Sequence, residues 1–128
     1  MSAQVYQWRK REAVVLDAAR ITLLRRSLGD QRAREILEET AFHLADRLAM
    51  LAAARAARNL DEARVCASRI AAMGEQVGLV SFARVARDLE ACLALGDPAA
   101  EGAVGARLDR LGEESFASLV AYAEQSAL

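Results

Sequence analysis

The chain has 128 residues, which is the length of one ordinary domain. Alanine, leucine and arginine dominate and Pro98 is the only proline, so a composition of good helix formers argues against a sheet protein. With 17 basic and 18 acidic residues, the charge is nearly balanced and gives no electrostatic reason to expect binding to nucleic acid or to a membrane surface.

The N-terminal residues 1–15 are predicted to form an arm or a short helix in front of a helical domain over residues 16–128. This segment contains the aromatic residues Tyr6 and Trp8. They could cover an edge of the domain or seed a dimer through exposed apolar area. The sequence leaves this choice, and with it the oligomeric state, open.

The first eleven residues are polar and charged and lack the apolar core of a signal peptide. No stretch approaches the length of a transmembrane span, so we expect a soluble, cytoplasmic protein. Cys66 and Cys92 lie inside predicted helices without a CxxC motif or a Cys/His cluster. We therefore expect free thiols, no disulfide framework, no metal and no cofactor.

Five segments carry apolar residues at helical spacing. The first is predicted over residues 18–28, after an N-cap at Asp17 and before Gly29. Asp30 is predicted to cap the second, which extends to about residue 58.

The third predicted helix covers residues 61–78, and the fourth lies around residues 82–93 and stops at Gly96. The last begins at Asp97-Pro98 and extends to about Gln125. Short links between long amphipathic helices favour antiparallel neighbours. The fold prediction is therefore all-α, an antiparallel four-helix up-down bundle with an extra N-terminal segment.

The third helix carries the most specific pattern in the chain. The letters RNLDEAR (58–64) lead to ASRIAA (67–72) and then to Gly78. This run resembles the histidine-phosphotransfer (HPt) family, in which a GDLE entry precedes AHxLKG and a glycine follows ten residues after the histidine. Ser68 stands at the histidine position and Ile70 at that of the leucine.

The resemblance extends over roughly residues 15–120. Residues 15–30 resemble the first helix of the family and its exit, and residues 82–97 resemble the fourth helix and the turn after it. The resemblance implies a protein of two-component phosphorelay signalling, whose partners are a response-regulator receiver domain or a histidine kinase.

The chain departs from the family pattern at the phosphorylation site. Ser68 replaces the phosphate-accepting histidine, Ala71 the lysine and Ala72 the glycine that leaves room for the partner. An imidazole nitrogen is a good nucleophile near neutral pH, whereas a serine hydroxyl is weak without a base. The resemblance therefore implies a pseudo-phosphotransfer module, which binds its partner without carrying phosphate and is not an enzyme.

This resemblance implies a partner-binding face on the second and third helices, around the serine. Its predicted contact residues are Arg64, Ser68, Arg69, Ala71, Ala72 and Glu75. Four arginines could complement the acidic pocket of a receiver domain, or they could pair with acidic neighbours on the helix surface. They are Arg64, Arg69, Arg84 and Arg87.

Two other functions stay open at this point. His43, the only histidine, lies on the second helix beside the core position Leu44 and is the alternative phosphoacceptor of a true phosphotransfer protein. The bundle could also be a generic helical adaptor or oligomerisation module, because fold analogy alone does not decide function.

Overall fold

The computed structural model describes residues 14–125, and over this range the chain is helical. The five helices are α1 (Ala18–Leu28), α2 (Asp30–Ala56), α3 (Leu60–Gln76), α4 (Val80–Leu95) and α5 (Pro98–Gln125). The all-α class predicted from composition is confirmed. In the described part of the chain, no helix is long and apolar enough to cross a membrane.

Each of the four longer helices packs against two of the others. α3 packs against α2 and α4, α5 packs against the same two helices, and α1 packs against α2. The apolar stripes predicted from the sequence face one shared core, which removes their side chains from water. Its largest fully buried side chains are Phe82, Ile21, Leu37, Leu44, Leu51, Ile70, Leu79, Leu89, Leu108, Leu111 and Leu119.

Side-chain caps define several helix starts. The Asp17 carboxylate accepts hydrogen bonds from the backbone N–H groups of Ala19 and Arg20, as predicted for an N-cap. The prediction for Asp30 is wrong, because Asp30 is the first residue of α2 and Gly29 occupies the N-cap position. Its carboxylate still lies in the first turn, where a negative charge interacts favourably with the positive end of the helix dipole.

The turn between α3 and α4 is a Schellman motif. The Leu79 N–H donates to the Gly74 carbonyl at 2.8 Å, and the Gly78 N–H donates to the Glu75 carbonyl at 3.3 Å. Gly78 has φ +80, a left-handed conformation that favours glycine, and a Cβ atom there would lie 2.8 Å from the Asp17 carbonyl oxygen. Gly78 thus ends α3 and also lets the chain before α1 approach the turn.

The segment before α1 is attached to this same turn. The Asp17 N–H donates to the Gly78 carbonyl at 2.8 Å, and the Val15 N–H donates to the Ser81 Oγ at 3.0 Å. Leu16 forms an isolated antiparallel bridge with Leu79. Residues 14–17 are therefore an ordered arm against the α3–α4 turn, and the rest of the predicted N-terminal segment lies outside the described residues.

A second Schellman motif joins α2 to α3, with Arg58 where the first motif has glycine. The Asn59 N–H donates to the Ala54 carbonyl and the Arg58 N–H to the Arg55 carbonyl, both at 3.0 Å. Arg58 has φ +57, which costs a residue with a Cβ atom roughly 1 kcal/mol. The Asn59 side chain then caps α3 by accepting from the Glu62 N–H.

The Arg58 side chain reaches a buried carboxylate on α5. Glu101 is 6% exposed, and its carboxylate accepts from Arg55 Nε at 3.1 Å and from Arg58 Nη1 at 3.1 and 3.2 Å. The Arg55 guanidinium also lies directly against Gly105, where a Cβ atom would overlap it. This cluster of Arg55, Arg58 and Glu101, the α2–α5 ion cluster, fixes the end of α2 on the start of α5.

Candidate partner-binding face around Ser68

Ser68 lies in the middle of α3, on the side of the helix that the core leaves free. Side chains four residues apart share a helix face, so Arg64, Ser68 and Ala72 form one stripe that continues to Glu75. Ser68 is half-buried, whereas the other three are exposed. The stripe is therefore accessible along most of its length, with the serine hydroxyl set lowest in it.

An open groove of about 400 Å³ surrounds the hydroxyl. Its walls come from α3 and α4, and its lining residues are Asp61, Arg64, Val65, Ser68, Arg69 and Glu90. α3 and α4 pack closely along their length, because α3 is rich in alanine on its inner side and because Gly74 permits contact with Phe82. The groove is the external seam of that packing.

Arg87 of α4 crosses this seam and contacts the serine. Its Nη1 atom donates to Ser68 Oγ at 3.4 Å and lies 3.4 Å from Glu90 Oε1, and its Nη2 atom donates to Glu75 Oε1 at 3.0 Å. The hydrogen bond to Glu75 raises the pKa of the Arg87 guanidinium above its ordinary value. Arg87 is therefore a permanent cation that orients the hydroxyl and links α3 to α4.

The other three arginines considered in the sequence differ in their pairing. Arg64 lies 3.7 Å from the carboxylate of Asp61, one helical turn earlier, and both side chains are largely exposed. Among the described residues, Arg69 and Arg84 have no ion-pair partner. The sequence left open whether these arginines pair locally or face a partner, and local pairing is seen for Arg64 and Arg87.

The structure changes one feature of the predicted face. Ala71 is fully buried, so the expectation that it lies on the exposed face is wrong: it lies three residues after Ser68 and points to the core between the helices. Ala72 is exposed, as expected. The groove is bordered by α3 and α4, and α2 contributes no residue to its lining, so the expected binding face on the second and third helices stays a prediction.

His43 lies on α2, apart from the residues that line the Ser68 groove. Its side chain is exposed, and its ring is 6.0 Å from the ring of Phe42 in an edge-on arrangement. The structure does not bring His43 into the Ser68 face. As a phosphoacceptor it would need a separate docking surface on α2.

The surroundings of Ser68 bear on its chemistry. The hydroxyl accepts from a guanidinium, and no carboxylate or imidazole within the described residues accepts its proton. A serine becomes a nucleophile when an adjacent base takes that proton. In this arrangement the Ser68 hydroxyl accepts a hydrogen bond from Arg87 and has no base beside it among the described residues.

The cysteines and the acidic residues do not cluster within the part of the chain that the structure describes. No group of three or more potential ligands is present there. Cys66 is a buried free thiol and Cys92 a half-buried one. Burial, followed by the nearby charge of Glu62, raises the pKa of the Cys66 thiol, which disfavours the reactive thiolate.

Two features of the molecule were not identified in the sequence. One is the bond from Arg87 to Ser68, which joins residues 19 positions apart and has no local signal apart from the Arg87–Glu90 spacing. The other is Phe42, whose side chain is 72% exposed. Its position between the core residues Ala41 and Leu44 could have revealed it, because it departs from the apolar stripe.

Comparisons with protein-family models, with curated proteins and with solved structures find no match to this chain.

Proposed function

We propose that this chain is an HPt-like module of two-component phosphorelay signalling that binds a receiver domain or a histidine kinase without carrying phosphate. The observation that carries the proposal is the state of Ser68. By the resemblance it stands where the HPt pattern has its phosphoacceptor histidine. It lines an open groove, and its hydroxyl accepts a hydrogen bond from a cation instead of facing a base. Occupancy of the partner, and not catalysis, is then its contribution to signalling.

The backbone around the site supports the same proposal. The HPt pattern requires a glycine ten residues after the acceptor position, and Gly78 ends α3 in the left-handed conformation that favours glycine. The contacts of α2, α3, α4 and α5, each with two others, are those expected for an antiparallel up-down bundle. We assign the chain this architecture, with α1 and the segment before it as the N-terminal addition.

The charges of the face suit an acidic partner. The phosphorylated pocket of a receiver domain is acidic, and Arg69, which lines the Ser68 groove, has no ion-pair partner among the described residues. Arg87 lies near Ser68 and pairs with Glu75 and Glu90 at 3.0 and 3.4 Å. Complementary charges of this kind raise association rates and exclude wrong partners more than they add affinity.

The predicted test is a binding titration with purified receiver domains and histidine kinases from the source organism. Ala72→Arg places a large side chain beside Ser68 on the exposed stripe and should weaken binding about ten-fold or more, which corresponds to about 1.4 kcal/mol. Ala52→Arg, at an exposed position of α2, is the matched control and should bind as the unaltered protein does.

Circular dichroism should show that both variants keep their helix content, since each alanine is exposed. Equal binding by the two variants would place the interface away from Ser68. If no receiver domain and no kinase binds the unaltered protein, the signalling function is wrong and the chain is a generic helical adaptor.

A further inference from the structure

A second exposed surface lies between α2 and α5. It is an apolar groove of about 600 Å³, the α2–α5 groove, and its lining residues are Glu38, Ala41, Phe42, Phe116, Ala117, Val120, Ala121 and Glu124. Phe42 stands out from its wall with 72% of its surface exposed. An exposed aromatic ring beside alanine, valine and a second aromatic ring forms an apolar surface. Covering this surface removes it from water and is therefore favourable.

The rim of this groove is acidic. Glu38 on α2 and Glu124 on α5 border it, and Glu39 is exposed beside Glu38. Glu38 is 3.8 Å from Arg34 in an exposed pair, a distance at which pairing contributes little. Among the described residues, Glu124 has no ion-pair partner. An occupant with apolar or aromatic side chains next to basic ones fits both the floor and the rim.

One segment of this chain has that chemistry. Residues 5–11 read VYQWRKR, which places Tyr6 and Trp8 directly before three consecutive cations. These residues lie outside the part of the chain that the structure describes, and their chemistry is known from the sequence alone. Within the sequence, this is the segment in which closely spaced aromatic residues and an uninterrupted run of basic residues occur together.

The segment is attached beside the first turn of α4. The Val15 N–H is bonded to Ser81 Oγ at 3.0 Å, and Phe82, the next residue, has its ring centroid 5.2 Å from that of Phe116, which lines the groove. An extended chain covers about 3.4 Å per residue, so the six steps from Val14 back to Trp8 span about 20 Å. This is enough to cross the width of one helix, about 10 Å, from α4 over α5.

We propose that residues 5–11 dock in the α2–α5 groove of the same chain, with Trp8 against Phe42 and Phe116 and with the basic residues 9–11 beside Glu38 and Glu124. Docking would cover the largest exposed aromatic surface of the described residues. It would also leave the Ser68 face, on α3 and α4, open for a partner.

The experiment uses the intrinsic fluorescence of the full chain, because Trp8 is its only tryptophan. A docked Trp8 emits at shorter wavelength than the same residue in denaturant and is protected from acrylamide quenching. Phe42→Asp should remove both effects, so that emission and quenching reach the values of the chain unfolded in guanidinium chloride. Phe42 is exposed, so helix content should stay unchanged.

Leu95→Asp is the matched control, since Leu95 is 83% exposed at the end of α4, outside the groove. It should leave Trp8 emission and quenching as in the unaltered protein. A charge swap tests the rim: Glu38→Lys with Glu124→Lys should release Trp8, and adding Arg9→Glu, Lys10→Glu and Arg11→Glu should restore its protection.

Three results would overturn the proposal. Trp8 of the unaltered protein could show the emission of the unfolded chain, which means that it is not docked. Its protection could survive Phe42→Asp, which places it on another surface. Its protection could also disappear on dilution together with a dimer seen by light scattering, which assigns the groove to the segment of a second copy.

Discussion

The two turns that bound α3 have the same hydrogen-bonding motif but keep it for different reasons. At the α3–α4 turn the left-handed residue is Gly78, and a side chain there would meet the backbone of Asp17. At the α2–α3 turn the left-handed residue is Arg58, whose side chain joins Arg55 and Glu101 in the α2–α5 ion cluster. The α3–α4 turn requires glycine because the backbone of Asp17 lies close to Gly78. The α2–α3 turn has an unfavourable backbone conformation at Arg58, and the ion pair between Arg58 and Glu101 offsets its cost.

The two turns together fix the position of the Ser68 face. Ser68 lies near the middle of α3, so its position depends on both ends of the helix. The Gly78 turn fixes one end against the N-terminal arm, and the ion cluster fixes the other end against α5. We expect substitutions at the two turns to change stability by different mechanisms while leaving the exposed side chains of the face in place.

The largest effect is expected for Glu101→Ala. It removes the carboxylate that Arg55 and Arg58 share and leaves the partly buried Arg55 guanidinium without its partner, which should lower the free energy of unfolding by about 3 kcal/mol. Guanidinium chloride denaturation measures it. Glu75→Ala breaks an exposed pair and is the control, and an equal loss there would show that burial of the cluster is unimportant.

The next effect is expected at the glycine turn. Gly78→Ala should lower the free energy of unfolding by about 2 kcal/mol, because it combines a left-handed backbone with contact to Asp17. Gly96 has φ +70, and no atom lies within 4 Å of the position that an alanine Cβ would occupy, so Gly96→Ala should cost only about 1 kcal/mol. Equal losses in the two variants would contradict the role of the Asp17 contact.

Acid should weaken the ion cluster in a defined direction. Burial opposes the charge of the Glu101 carboxylate, but the hydrogen bonds from Arg55 and Arg58 outweigh it and hold its pKa below the ordinary value. The unfolded chain then binds this proton more readily, so the stabilisation is complete above the unfolded pKa and is lost as pH falls through the folded one. Unfolding measured from pH 7 to pH 3 should show a steeper loss than Glu101→Gln shows.

The smallest effect compares two variants of Arg58. Both Arg58→Gly and Arg58→Ala lose the pair with Glu101, which is exposed on the arginine side. Only glycine also relieves the left-handed backbone, so Arg58→Gly should be more stable than Arg58→Ala by about 1 kcal/mol. Denaturation of the two variants in parallel measures the difference, and a more stable alanine variant would contradict the assigned strain.

The sequence predicted the elements better than the surface. Periodicity, the Asp17 cap and the glycines at 29, 78 and 96 locate all five helices, since these signals act within one or two helical turns. The burial of Ala71 and the bond between Arg87 and Ser68 were not predicted, because they depend on how α3 rotates against α4. The ion cluster joins Arg55 to Glu101, 46 residues apart, and has no local pattern either.

Transfer of phosphate to the protein can be measured with a radiolabelled receiver domain. The purified protein is incubated with a radiophosphorylated receiver domain that binds it, beside a Ser68→His variant that restores the family's acceptor. We expect no label on the unaltered protein and acid-labile label on Ser68→His. Label on the unaltered protein would contradict it, and its loss in His43→Ala would then identify His43 as the phosphoacceptor.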